Sequence, residues 1–275
     1  MKEIEKFKET ILKEYPRLNE DSTFKFRCHP GVSCFNDCCS DVNIFLTPYD
    51  ILRLRTKLGI TSQEFLDKYT IIPFDKNLPY PAVLLKMQDT DKKQCHFVGD
   101  KGCSVYEDRP WACRMYPLGM ASPKEAGATP AMTDFYFLLE EEVCKGFQEE
   151  QEQNVAGWIK DQGIADYNEI GELWKELTLH PYFQSEEGMV PSKIEMFFMV
   201  CYNLDKFRAF VFDSSFLSKF EFDQTAVDKM KDDDIELLKF GYQWLRFALF
   251  NEPTMKVNTD ILETKRAELE AKKKI

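Results

Sequence analysis

Cysteine placement constrains this chain more than any other feature. Seven of its nine cysteines fall into two tight groups, Cys28, Cys34, Cys38 and Cys39, then Cys95, Cys103 and Cys113, with Cys144 following. Thiols concentrated in this way make a metal site, a disulfide network or a redox relay, and the compartment helps to separate the three.

Met1 to Tyr15 has no apolar core of the kind a signal peptide needs; Ile4, Phe7, Ile11, Leu12 and Tyr15 recur instead at the spacing of an amphipathic surface helix. No stretch approaches the roughly 18 uninterrupted apolar residues of a membrane span. The expected location is cytoplasmic, where thiols stay reduced. An odd number of cysteines also fits a complete disulfide framework poorly. A net charge of −11 argues against nucleic acid as a partner, because there is no surplus of Lys and Arg to displace phosphate counterions. With 44% hydrophobic residues and 23 phenylalanines, the chain has the material for an aromatic-rich globular interior.

Local grammar gives the elements. Thr47-Pro48-Tyr49-Asp50 predicts a capped helix ending at Gly59, and Thr61-Ser62-Gln63-Glu64 predicts a second. Ala82 to Met87 reads as a short strand. Cys95 to Val98 and Cys103 to Tyr106, joined by Gly99-Asp100-Lys101-Gly102, read as a hairpin or knuckle. Asp108-Arg109-Pro110 reads as a helix start that puts Cys113 and Arg114 in the first turns, with Pro117 as the stop. Gln148 to Gln153 reads as helical surface or a domain junction. Ser192-Lys193-Ile194-Glu195 predicts a capping box opening a long amphipathic segment through Val211, and a last helix is expected over Asp234 to Phe250. The charged tail from Thr259 is expected to fray.

Thiolates bind soft or borderline metals, and four in a tetrahedron suit Zn²⁺ or an iron–sulfur cluster. The linkers His29-Pro30-Gly31-Val32-Ser33 and Phe35-Asn36-Asp37 are irregular enough to let ligands converge. Cys28, Cys34, Cys38, Cys39, Cys95, Cys103, Cys113 and Cys144 form the candidate ligand pool, eight thiols that suffice for one or two centres. The vicinal pair Cys38-Cys39 serves two centres or bridges within one. Iron–sulfur is preferred over zinc, since paired C-x₂-C knuckles are absent. A thiol relay is disfavoured for lack of a C-x-x-C motif. Cys201, in an apolar helical stripe, reads as core. His29 and His96 read as neighbours of the site rather than ligands, and His180 as a turn residue. Arg109 and Arg114 flank Cys113 and carry two readings: ion pairs with the acidic surface, or guanidinium donors that stabilise and tune a negative thiolate centre.

The ordered set Cys28…Cys34…Cys38-Cys39, then LTPYDILRLRTKLGI, then Cys95…GlyCysSerValTyr…ArgPro…CysArg…TyrPro resembles the YkgJ-type CxxCxxCC cysteine-cluster family over residues 24 to 146. Five residues separate Cys28 from Cys34, where the family name has two. The resemblance implies a zinc- or iron-chelating domain of a kind also found in flagellin lysine-N-methylases, with Cys144 matching a late family cysteine. It places the segment after Ser192 with the helical extension of longer members.

The expected fold is mainly α with small β elements, a cysteine-cluster metal-binding domain over residues 1–150 followed by a helical C-terminal region over 151–275. The function expected is metal binding with a structural, electron-transfer or partner-binding role. By resemblance alone, the alternative is a metal-dependent protein lysine N-methylase. Neither a glycine-rich strand-to-helix loop nor a C-x₃-C-x₂-C run is present to hold S-adenosylmethionine. A protein partner or protein substrate is the expected ligand of the helical region, with no role for a membrane.

Overall fold

A computed structural model describes residues 15–73, 78–121, 135–184 and 189–259. The expectations for the N-terminal helix and for the tail beyond Thr259 lie outside them. The fold is mainly α, with small antiparallel strand pairs. It divides into two compact units, one of Met1–Gly59, Asp67–Leu78 and Ala82–Glu172, the other of Ile60–Leu66, Pro79–Pro81 and Leu173–Ile275.

The first unit carries the strands. β1 (Thr23–Lys25) pairs antiparallel with β9 (Glu152–Asn154), Phe24 opposite Gln153. β4 (Val83–Leu85) lies between β2 (Phe45–Leu46) and β3 (Thr70–Ile71). β5 (Val98–Gly99) and β6 (Gly102–Cys103) make the expected hairpin, and β7 (Leu118–Ala121) pairs with β8 (Phe135–Leu138). Gly102 holds φ at +102°, a conformation that a side chain would strain.

Helix α1 (Pro48–Leu58) has both halves of its capping box, and it ends at Gly59 as its sequence predicts. In α2 (Ser62–Tyr69) the Thr61 N–H donates to Glu64 Oε2 at 2.8 Å and the Glu64 N–H returns a bond to Thr61 Oγ1 at 3.2 Å. The short α3 (Trp111–Met115) carries Cys113. Behind it, α4 (Val155–Asp161) and the first half of α5 (Ile164–Thr178) complete an aromatic core. There Phe24, Phe26, Met115, Leu118, Val155, Trp158 and Ile164 are buried together, with the Phe26 and Trp158 rings edge to face at 5.6 Å. Cys144 packs against this core, and Cys28 follows Phe26 by two residues.

The second unit is built from α6 (Pro191–Tyr202), α7 (Leu204–Phe212), α8 (Gln224–Asp232) and α9 (Asp234–Phe250). Its interior is Phe197, Val200, Cys201, Phe207, Leu237 and Leu245, all buried. The rings of Phe207 and Trp244 stack at 5.7 Å. Gly241 lets the helices approach: a Cβ there would lie 2.6 Å from Val200 Cγ1 and 3.0 Å from a Phe207 ring carbon.

Three expectations are corrected. Gln148–Gln153 is not helical surface: Gln148 closes the 3₁₀ turn Lys145–Gln148, and Glu152 and Gln153 pair with β1 as a strand. Ser192 does not cap α6. Pro191 takes the first helical position, so the cap falls on Val190. The segment through Val211 is two helices, since the Asn203 side chain accepts from the Lys206 N–H at 3.2 Å and starts α7 afresh.

Candidate metal centre

The first cysteine group sits on consecutive tight turns. Phe35 N–H donates to Val32 O at 2.9 Å, Asp37 N–H to Cys34 O at 3.0 Å and Cys39 N–H to Asn36 O at 3.0 Å. Asn36 takes a left-handed conformation, φ 73°, which Asn tolerates, and opens the 3₁₀ turn Asp37–Cys39. A run of turns exposes side chains in several directions within a few residues, as clustered ligands require.

Three other segments are fastened to these turns. Arg27 N–H donates to Gly146 O at 3.0 Å, and Lys145 N–H donates to the Cys34 sulfur at 3.1 Å, so the Cys144 segment lies beside Cys28 and Cys34. Cys95 N–H donates to Cys39 O at 2.8 Å. The hairpin sets Cys103 opposite Val98, and its tip is held by Asn36 Nδ2, which donates to Gly99 O at 3.3 Å. The Phe97 N–H points at the Cys95 sulfur at 3.5 Å.

All nine cysteines are unpaired. Cys28, Cys38 and Cys113 are exposed, Cys34, Cys39, Cys95, Cys103 and Cys144 half-buried, and Cys201 buried. Free cysteine is among the most buried residue types, so eight accessible thiols on one domain are out of keeping with a packing role. Cys201 alone behaves as a core residue.

The electrostatics record which sulfurs are neighbours. Cys28 is pushed up to about 11, by burial first and then by the charges of Cys38, Cys144 and Cys34. Cys113 is open to solvent on one side yet ringed by protein. Burial, then Cys95, Asp50 and Cys103, push it up to about 12, against the pull of Arg109. The Cys39 thiol hydrogen-bonds the Cys38 sulfur, which brings Cys38 down to about 7 and raises Cys39. Burial raises Cys95, where the Phe97 N–H opposes it, and Cys103, where the Val105 N–H and then Arg109 oppose it. Each thiolate formed here makes the next harder to form, and a bound cation removes that repulsion.

Both flanking arginines are buried. Arg109 lies over the Tyr106 ring at 3.7 Å, donates to Tyr106 O and Gln162 Oε1, and stands close enough to Cys103 and Cys113 to favour their thiolates. Arg114 donates to the backbone carbonyls of Arg109 at 3.1 Å, Gln162 at 2.6 Å and Glu107, and lies over the Tyr167 ring at 4.6 Å. His29 is engaged locally, Nε2 3.1 Å from Glu149 Oε2 and Nδ1 accepting the Gly31 N–H at 3.1 Å. The His96 ring meets Tyr69 edge-on at 5.7 Å.

Two neighbours carry no signal in the sequence. Asp50 was legible as a helix cap, but its second oxygen accepts the Trp111 N–H and starts the helix that carries Cys113. The Tyr116 hydroxyl is buried beside Cys144, and burial, then hydrogen bonding to the Cys144 sulfur and its charge, raise its pKa.

Soft sulfur donors in number, backbone N–H groups aimed at two of the sulfurs and a guanidinium beside two more fit a thiolate-bound metal in their chemistry. Among the described residues, no group of three or more His, Cys, Asp or Glu is arranged to hold a metal ion as it stands.

The CxxCxxCC family model, whose description reads "Putative zinc- or iron-chelating domain", matches residues 27–145, a span that includes Cys28 and Cys144. No curated protein and no solved structure matches the chain. Among the described residues no helix is long and apolar enough to cross a membrane.

Proposed function

We propose that residues 27–145 bind iron, as an iron–sulfur centre, through the eight cysteines from Cys28 to Cys144, and that the chain acts in electron transfer or partner binding rather than catalysis. The observation that carries this reading is the set of eight accessible, unpaired thiols on four hydrogen-bonded segments. Iron–sulfur is preferred over zinc because eight thiols exceed what a single structural zinc needs, and the N–H donors at the Cys34 and Cys95 sulfurs would tune such a cluster's potential. When bound, the cluster supplies one-electron chemistry. The chain's own residues hold the thiolates, set their hydrogen bonds and, through Arg109, offset their charge. A cytoplasmic location accords with nine unpaired cysteines. A protein partner or protein substrate is proposed for the helical unit, where Val190 and Ile194 are exposed at the start of α6.

Anaerobic purification followed by metal analysis and a visible spectrum tests this. A brown, iron-loaded protein is expected. Colourless, zinc-loaded protein overturns the iron–sulfur assignment, and protein with intact thiols and neither metal overturns metal binding. Calorimetry with S-adenosylmethionine tests the role: no saturable binding is expected, and saturable binding transfers the chain to the methylase reading.

A further inference from the structure

We infer that the outward face of the β2–β4–β3 sheet is a docking site for another protein, held through a segment that sets large apolar side chains among Asp and Glu. The inference is independent of the metal-binding reading above, and it gives the first unit an interaction surface of its own.

Strand pairing defines the face. Phe45 and Ile71 both lie opposite Leu84, one on either side, so the three side chains leave the sheet in the same direction. Leu46 opposite Val83 and Thr70 opposite Leu85 point the other way, and all four are buried. That second face is core. On the outward face Leu84 is buried between its neighbours, while Phe45 is 53% and Ile71 49% exposed, and Ile72, directly after β3, is 47% exposed. Large apolar side chains gathered on two short edge strands mark a surface that a partner covers.

Charge selects the occupant. The ladder continues past the end of β4, where the Lys86 N–H donates to Tyr69 O at 2.8 Å, so Lys86, two residues after Leu84, falls on the outward face. Lys68 Nζ lies 5.0 Å from the centre of the Tyr69 ring. Both lysines are exposed, and among the described residues neither has a carboxylate partner. Lys25, Lys93 and Lys239, by contrast, are paired with Glu150, Asp41 and Glu236. In a chain of net charge −11, two ammonium groups without carboxylates beside three exposed apolar side chains make a local patch that attracts an acidic segment, while the bulk charge repels a second copy. The face also adjoins the second cysteine group. Met87 bridges Cys95, and the Tyr69 ring meets those of His96 and Phe97 at 5.7 and 5.0 Å. A segment docked here lies beside Cys95.

The test uses the full-length chain as purified, with its metal content measured, and short fluorescein-labelled peptides read by anisotropy. One peptide alternates Leu with Glu, a second Leu with Lys, and a third Ser with Glu. Saturable binding is expected of the first alone, and salt at about 0.5 M should weaken it. Phe45→Ser, Ile71→Ser and Lys86→Glu should each weaken it at least about fivefold, whereas Lys160→Glu, the same charge change at an exposed position on α4, should leave it unchanged. All four positions are exposed, so circular dichroism and metal content should match wild type. No saturable binding of the Leu–Glu peptide, equal binding of the Leu–Lys peptide, or equal effects of Lys86→Glu and Lys160→Glu overturns the inference. Capture by phosphatidylserine vesicles in place of the peptide, abolished by Phe45→Ser and Lys86→Glu, overturns it in favour of a membrane contact. A concentration-dependent dimer that Phe45→Ser dissolves overturns it in favour of a contact between copies. Protein that binds the peptide yet carries no metal overturns the metal-binding reading and leaves this one standing.

Discussion

Asp50 accepts the Trp111 backbone N–H through Oδ1 at 2.7 Å while its other oxygen accepts the Thr47 N–H at 2.8 Å. One buried carboxylate thus closes the capping box of α1 and starts α3, the helix of Cys113. Removing it strands two half-buried donors, each worth up to about 1–3 kcal/mol when left unpaired. Asp50→Ala should therefore cost roughly 2–5 kcal/mol in urea denaturation of metal-free protein. Cys113 should also be released from its place, and cobalt uptake should weaken. A variant as stable as wild type would show that α3 is held by its packing alone.

The same carboxyl makes a pH signature. Burial raises it from 3.8 to about 6, against the bonds from Trp111 and Thr47. The folded chain therefore holds this proton more tightly than the unfolded one. Its contribution to stability is complete below the unfolded pKa and is lost as pH rises through about 6. Asp50→Asn cannot titrate, so the stability difference between wild type and variant should shift against wild type by a few kcal/mol as pH rises from about 4 to about 7. Denaturation curves across that range read the effect, and parallel pH profiles for the two proteins would remove Asp50 as its source.

Tyr116 buries its hydroxyl beside Cys144, and burial, then its hydrogen bond to that sulfur, raise its pKa. A thiol is a weak acceptor for that hydroxyl and a metal-bound thiolate a strong one. Tyr116→Phe is expected to leave metal-free protein at least as stable as wild type. It should also shift the absorbance of the metal-loaded protein, because a bonded sulfur donates less charge to its metal. An unchanged loaded spectrum would argue that the hydroxyl never reaches the sulfur.

Local signals were legible and long-range ones were not. The capping boxes at Thr47 and Thr61 and the last helix, Asp234–Phe250, follow from neighbours in the chain, and each forms as its residues predict. The thiol pool is also readable, because clustering is visible without a fold. Which sulfurs are neighbours is not, since that depends on bonds such as Cys95 to Cys39 across 56 residues. Glu152–Asn154 becomes a strand because Phe24 and its neighbours are there to pair with it, a partner that its own polar composition does not announce. Helices α4 and α5 went unread for a similar reason: Trp158 and Ile164 acquire a core face only once Phe24 and Phe26 lie against them.

In the helical unit, Gly241 is the sharpest packing constraint. Its hypothetical Cβ meets Val200 and Phe207, two side chains that are fully buried and have little room to withdraw. Gly241→Ala should improve helix propensity by under about 1 kcal/mol, yet overpacking costs about 1–3 kcal/mol, so a net loss of stability is expected. Metal content should be unaffected, because the substitution touches no cysteine of the cluster. Thermal denaturation together with metal analysis reads both parts, and a stabilised variant would mean that α6 and α7 yield to the extra methyl group.

Cys38 and Cys201 make the final contrast. Cys38 is exposed, hydrogen-bonded to Cys39, and brought down to about 7 by that bond, so its thiolate is within reach at neutral pH. Cys201 is buried on α6, and burial raises its pKa well above the usual thiol value, which keeps it neutral. Cys38→Ser is expected to lose metal and to lower the stability of the loaded protein, since an incomplete thiolate cage gives up binding energy that is also folding energy. Cys201→Ser should retain full metal and lose only about 1–3 kcal/mol, the cost of a hydroxyl placed among apolar side chains without a partner. Metal analysis and denaturation of the two variants side by side separate the roles. Equal metal loss from both would mean that burial and exposure do not distinguish core cysteines from ligands here.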